Sequence, residues 1–237
     1  MSSTIPYHIF PLGDSALTVD FGNRISPELN NTVMKLFHEL KVLPLPGMRE
    51  AVPAYSSLSI YYDLFQCNRH PDRPAGKTVY EWLGELLHKR LKTFHAEEQS
   101  AANEIIIPVC YDPDLSPDLA LISHAKNIAV EEIVALHSAL SYRVYLLGFL
   151  PGFAYLGETD ERIAMPRKMQ PASVQAGSVG IAGKQTGIYS LSSPGGWHVI
   201  GRTPLKLFDA MREPLTLMKP GDNVKFISIS KHEFENY

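Results

Sequence analysis

Apolar positions recur along this chain at two different spacings, and the change of spacing divides it. Ile5–Phe10 and Ala16–Phe21 are short apolar runs separated by Gly13-Asp14, so they read as a strand pair, and Gly22-Asn23 marks the next turn. Ser26-Pro27 then offers a cap followed by proline at the first helical position. Leu29, Val33, Leu36, Phe37 and Leu40 share one face at helical spacing, which predicts a helix over 27–41. In SLSIYYD, Leu58, Ile60 and Tyr62 alternate with Ser59 and Tyr61, the pattern of a half-buried strand. Val79, Trp82, Leu83, Leu86, Leu87 and Leu91 form the apolar stripe of a second helix at about 78–92, with Trp82 a core residue. The order ββαββα predicts an α+β N-terminal domain, residues 1–93: a small sheet with two helices on a single face.

The polar segment KTFHAEEQSAANE, Lys92 to Glu104, loses all periodicity and reads as a linker. Beyond it, in a second domain over 104–237, EIIIPV is a continuous apolar strand. Ser116-Pro117-Asp118 repeats the cap-plus-proline signature, and Val130 to Leu140 carries Ile133, Val134, Leu136 and Leu140 at helical spacing. After Tyr142 the chain turns to short strands broken by Gly and Pro, without another long helix. That punctuation predicts a closed or nearly closed β-barrel.

Composition narrows the partners. With 237 residues, 45% apolar, 20% charged and a net charge of −3, this is a globular chain without the basic surplus of a nucleic-acid binder. MSSTIPYHIF lacks the basic and apolar regions of a signal peptide, and no apolar run suffices to span a bilayer, so a cytoplasmic location is expected. On that expectation Cys67 and Cys110 are reduced thiols, although one disulfide is arithmetically allowed, and the Asn30-Asn31-Thr32 sequon is accidental.

Familiar catalytic motifs fail on spacing. Gly177 and Gly183 are separated by five residues and Gln185 follows Lys184, so AGSVGIAGKQTG is no phosphate loop, which needs four and a Ser or Thr. No dinucleotide fingerprint follows a strand. The nine histidines make no HxxxH or HxH pair, so His38, His88 and His137 are expected to be solvated or core and no metal site is assigned. There is no GxSxG elbow, and Ser123-His124-Ala125-Lys126 matches SxxK by letters alone.

Longer stretches are more informative. LGFLPGFAYLG (Leu147–Gly157), MPRK, AGSVGIAGKQTGIYS and SPGGWHVIGRTPLKLFD, with GDSALTVDFG, an Asn at Asn30 placed before a helix, and VPAYSSLSIYYD, resemble the family of KipI and the B component of 5-oxoprolinase (PxpB). That family is also described as allophanate hydrolase subunit 1-like, the carboxyltransferase domain, subdomain C and D. The resemblance covers essentially the whole chain. It implies a cyclophilin-like β-barrel as the C-terminal domain and a role beside two partners, a KipA-like C component and a LamB/YcsF-like A component. Together these open 5-oxoproline to glutamate using ATP with magnesium in the assembled complex, with none held tightly by this chain alone. One relative instead inhibits a sporulation histidine kinase. The chain departs from the family after MPRK: in Pro171-Ala172-Ser173-Val174-Gln175 a second arginine is absent and Gln175 replaces a proline.

Two readings of the glycine-rich strip stay open. Its glycines shape barrel turns, or their amides form nests for an anion. On the second reading Arg167, Gly177, Ser178, Lys184, Gln185, Thr186, Gly187, Tyr189, Gly195, Gly196, Trp197 and Arg202 bind substrate or phosphate, with Arg167 or Lys184 replacing the missing arginine. The strip has no histidine–carboxylate pair, so it is expected to be half a site, completed by a partner. Phe149, Leu150, Pro151, Gly152 and Phe153 are a buried barrel corner or a partner-facing loop. The chain is therefore either one part of a multi-component enzyme, a 5-oxoprolinase or else an allophanate or related amide hydrolase, or a binding module that blocks a kinase. Prolyl isomerase activity would rest on fold likeness alone.

Overall fold

The computed structural model describes residues 5–92 and 103–237. The chain divides into two compact units, Met1–Ser100 and Ala101–Tyr237. The segment read as a linker falls almost wholly outside the described residues.

In the first unit, β1 (His8–Pro11), β2 (Ala16–Asp20), β3 (Met48–Pro53) and β4 (Ser57–Tyr62) make an antiparallel sheet of order β1-β2-β4-β3. Helix α1 (Pro27–Val42) lies between β2 and β3 in sequence, and β4 is followed by α2 (Leu64–Asn68) and α3 (Val79–Lys92). Leu17 and Val19 of β2 and Leu58 and Ile60 of β4 pack with Leu29, Val33, Leu36 and Leu40 of α1 and Trp82, Leu83 and Leu87 of α3. Each fully buried aliphatic side chain of this kind contributes about 1.5–3 kcal/mol.

Two local expectations need correction, and one short helix is not among those expected from the sequence. The first strand starts at His8, not Ile5. The short helix α2 has no apolar period to reveal it; its signal is Asp63, whose carboxylate accepts from the amides of Phe65 and Gln66. Asn30 lies inside α1 rather than before it, fully buried, and its amide donates to the carbonyls of Ala54 (3.1 Å) and Tyr55 (3.3 Å), tying the helix to the β3–β4 turn. A glycan there would require unfolding.

The second unit is built on a closed seven-stranded barrel. Its elements are β5 (Glu104–Cys110), α4 (Leu119–Lys126), α5 (Val130–Ala139), β6 (Ser141–Leu147), β7 (Ala154–Glu158), β8 (Ala172–Val174), β9 (Ser178–Ala182), β10 (Gln185–Ile188), β11 (Ser193–Gly195), β12 (His198–Arg202), β13 (Asn223–Ile229) and α6 (Lys231–Glu235). Strand order around the barrel is β10-β7-β6-β13-β5-β12-β9, while β8 and β11 pair apart from it. The parallel β5–β13 pair joins residues 104–110 to residues 223–229. Ile107, Val109, Val144, Leu156, Val179, Ile181, Ile200, Val224 and Phe226 fill the interior together with Leu119, Ile122 and Ile133 of α4 and α5.

Ser116 does not cap α4. Its hydroxyl donates to the carbonyls of Tyr111 (3.0 Å) and Asp112 (2.8 Å), and the helix starts at Leu119 after Asp118, whose carboxylate is engaged elsewhere. His137 of α5 is fully buried and stacks on Phe226 at 4.6 Å. Thr186 donates to the carbonyl of Gly180 (3.2 Å), so His137 Nε2–H donates to the Thr186 hydroxyl at 2.9 Å and Nδ1 accepts from Tyr111 at 2.9 Å. Burial lowers the His137 pKa to about 3. Cys67 and Cys110 are buried free thiols. Among the described residues no helix is long and apolar enough to cross a membrane.

Candidate functional site

The strip that carries Lys184 folds as a hairpin. β9 and β10 pair antiparallel with Gln185 opposite Ala182, leaving Gly183-Lys184 as a two-residue loop. Gly183 has φ +61°, the left-handed geometry tight hairpins require at their first loop position. Lys184 is thereby exposed at the hairpin tip, where it pairs with Glu161 at 2.8 Å.

The amides of the strip face carbonyls. Gly177 N–H donates to Tyr189 (2.7 Å), Ser178 N–H to Gln175 (3.2 Å) and Gly183 N–H to Met165, while Gly180 and Gly187 oppose each other in the β9–β10 ladder. A nest needs amides aimed at the ligand, so these glycines serve the fold. Ser178, Thr186, Gly187 and Tyr189 are buried in the barrel wall rather than displayed. A Cβ at Gly187 would stand 2.9 Å from the Trp197 ring and 2.9 Å from the Ala154 carbonyl, and one at Gly195 would overlap the Tyr189 ring. These two glycines make room for the rings. Gly195 lies in β11, and Gly196 accepts from the Lys168 amide at 2.8 Å.

Arg202 is also committed to structure. Its Nε donates to the Ala176 carbonyl at 2.8 Å, its head reaches the Gln175 side chain, and it lies 5.9 Å from the Phe234 ring. Gln175 is therefore an arginine partner.

Arg167, Gln185 and Trp197 do come together. With Tyr155, Pro166, Ala182 and Gly183 they line an open cleft of ≈ 320 Å³. Trp197 is only 3% exposed and forms part of an aromatic floor centred on Phe153, whose ring lies 5.7 Å from Trp197, 4.9 Å from Tyr189 and 4.7 Å from Tyr155. Burial raises the phenols of Tyr155 and Tyr189, an effect the nearby Arg167 charge partly opposes. Arg167 is exposed, and its side chain makes no hydrogen bond or ion pair with another described residue.

The segment that presents Arg167 is pinned on both sides. Met165 and Gly183 exchange backbone hydrogen bonds. The Pro166 carbonyl accepts from His198 Nε2 at 3.0 Å, and the Lys168 amide donates to Gly196. Lys168 Nζ meets Asp118 Oδ2 at 2.6 Å, and the same oxygen accepts from the Val199 amide at 2.6 Å. Sequence reasoning assigns no site role to Tyr155, Asp118 or Lys168. Tyr155 has a signal in its i, i+2 spacing from Phe153, which puts two aromatics on one strand face. The Asp118–Lys168 pair spans fifty residues and has none.

At the β6–β7 turn, Phe153 and Gly152 are buried, as a barrel corner requires, and Leu150 is half-buried. Pro151 and Phe149 face solvent. Phe149 is 62% exposed with φ +69°, and its ring meets Phe153 edge-on at 5.6 Å. Among the described residues no group of three or more His, Cys, Asp or Glu side chains could hold a metal ion.

Comparison with known proteins places these features in context. The family model for the carboxyltransferase domain, subdomain C and D, matches residues 7–218. The B component of 5-oxoprolinase from Bacillus subtilis (strain 168) is 41% identical over 237 residues, covering 99% of this chain and 98% of that protein. The solved structure of TTHA0988 superposes with a TM-score of 0.76 at 36% identity over 91% of this chain, which spans only 40% of that longer chain. Kluyveromyces lactis urea amidolyase shares the fold, with a TM-score of 0.77 at 17% identity over 100% of this chain and 16% of its own.

Proposed function

The chain belongs to the carboxyltransferase domain family, subdomain C and D, and on that premise we propose that it is the B component of an ATP-dependent 5-oxoprolinase. In this reading it supplies one wall of a site that opens 5-oxoproline to glutamate, and KipA-like and LamB/YcsF-like partners supply the rest. The observation that carries the reading is the cleft: one guanidinium unpaired among the described residues, one amide side chain and two aromatic rings around a small volume. Such a set binds and orients an anionic substrate. It holds no acid–base pair to move protons during lactam opening, which is why partners are needed. The match to less than half of TTHA0988 supports the same view, since this fold occurs there within a longer polypeptide. The barrel would be cyclophilin-like in architecture, used here for substrate and not for prolyl isomerisation.

ATP with magnesium would supply the free energy for ring opening in the assembled complex. The cleft does not fit that group. A nucleotide site needs amides or several cations for the phosphates and oxygen ligands for the metal, whereas the amides here face carbonyls and no described carboxylate lines the cleft. The nucleotide therefore belongs to a partner in this scheme.

The test is reconstitution with the two partner proteins, following glutamate release from 5-oxoproline with ATP. Arg167→Ala is expected to lower turnover about tenfold or more while assembly persists, with Arg167→Lys intermediate because lysine lacks the planar fork. Undiminished turnover in Arg167→Ala, or full activity of this chain alone, would refute the reading.

A further inference from the structure

We propose that the cleft seats the carboxylate end of a small ring-bearing monoacid, rather than a nucleotide or free phosphate, and that Lys168 and Asp118 are positioning residues that hold Arg167 for it. The inference rests on the 5-oxoprolinase role above and assigns this surface one end of the substrate.

Charge is the first argument. Lys184 is matched by Glu161, Lys168 by Asp118, and Arg202 is held by Gln175 and the Ala176 carbonyl. Arg167 is left with its charge unmatched among described residues. One guanidinium presents paired donors that suit one carboxylate. A polyphosphate would bring several charges to a single cation. Size agrees: ≈ 320 Å³ lies at the small end of ligand pockets, which span about 300–1,000 Å³. Trp197 and Tyr155 border the remaining space with aromatic surface that suits a flat ring.

Preorganisation is the second argument. Arg167 has a head without partners among the described residues and a root held at Met165, Pro166 and Lys168. Asp118 is the outer anchor, since one oxygen holds both the Lys168 ammonium and the Val199 amide. The two side chains are 21% and 13% exposed, so the pair is shielded from the solvent that weakens surface ion pairs. An arginine whose backbone is already fixed at the cleft loses less freedom on binding than one on a loose loop.

The first arm of the test titrates the ¹⁵N-labelled full-length chain with 5-oxoproline, its carboxamide, inorganic phosphate and ATP with magnesium, following the Trp197 indole N–H. A saturable shift with 5-oxoproline, about tenfold weaker or more for the carboxamide and not displaced by phosphate or ATP, is expected. The second arm measures steady-state kinetics of the assembled complex. Lys168→Met should raise KM for 5-oxoproline about tenfold with kcat nearly unchanged, the signature of lost ground-state positioning. Lys168→Arg should restore it, and Lys168→Met should add nothing in an Arg167→Ala background. Should Lys168→Met fail to fold, Asp118→Asn, which keeps an acceptor for the Val199 amide, replaces it. Equal binding of acid and carboxamide, competition by phosphate, or an unchanged KM would overturn the inference. Loss of turnover in Arg167→Ala alongside any of these would leave the 5-oxoprolinase role standing, whereas undiminished turnover in that variant would remove the role itself.

Discussion

His137 is surrounded by groups that carry no charge: the Tyr111 and Thr186 hydroxyls at its two nitrogens and the rings of Tyr142 and Phe226 beside it. With both nitrogens satisfied and no carboxylate facing it among the described residues, the imidazole is held neutral, its pKa lowered to about 3 by burial. The unfolded chain binds this proton near pH 6.5, so the unfolded state holds more protons than the folded state below that pH. The contribution of the neutral histidine is complete above about pH 6.5 and is lost as pH falls toward about 3, with a limiting slope of roughly 1.4 kcal/mol per pH unit. Urea unfolding of the chain between pH 6.5 and 5 should therefore show a steeper loss of stability than His137→Gln. Parallel profiles would show that burial does not hold the ring neutral. Nothing in the spacing of nine histidines separates this one from the others, because its role depends on Thr186, a residue of a strand 49 positions away.

In the β9–β10 hairpin Gly183 makes the turn and Gly187 makes room for the Trp197 ring. Gly187→Ala would place a methyl against Trp197 and the Ala154 carbonyl. It is expected to cost about 1–3 kcal/mol and to perturb Trp197 fluorescence. Gly84 of α3 is the contrast: a Cβ there meets nothing within 4 Å, so Gly84→Ala should stabilise by up to about 1 kcal/mol through helix propensity. Thermal unfolding of both variants, moving in the same direction, would contradict this account. Elements whose logic is local are legible in the sequence: α1 and α3 from their stripes, β4 from alternation, the closed barrel from turn punctuation. Elements fixed by distant partners are not. Asp118 looks like part of a cap, yet its carboxylate reaches β12 and the Arg167 segment instead. Of the cleft, Arg167, Gln185 and Trp197 are found by chemistry, whereas Ser178 and Thr186 join them only because polarity alone does not tell a displayed hydroxyl from one that satisfies a barrel wall.

On the scale of the molecule, each unit has its own apolar core, and the cleft belongs wholly to the second. Phe149 is where that unit departs from economical folding, a bulky residue in the left-handed region with most of its ring in solvent. Such a conformation costs of order 1–3 kcal/mol and is retained where something else requires it. Phe149→Gly should leave the isolated chain as stable or more so, while weakening its association with the partner proteins by about tenfold or more, as an aromatic anchor would. Sedimentation of mixtures with the partners reads this directly, and unchanged association would make the turn a feature of the barrel alone.

The parallel pairing of β5 with β13 has its own consequence for biosynthesis. The strand that opens the second unit is paired along its whole length only by the barrel strand that follows all the others in the chain, so no closed barrel exists until residue 229 has left the ribosome. Until then the hydrophobic edges of β5 and β6 have no strand between them, and nascent chains stalled short of that point should be strong clients for chaperones that shield exposed strand edges.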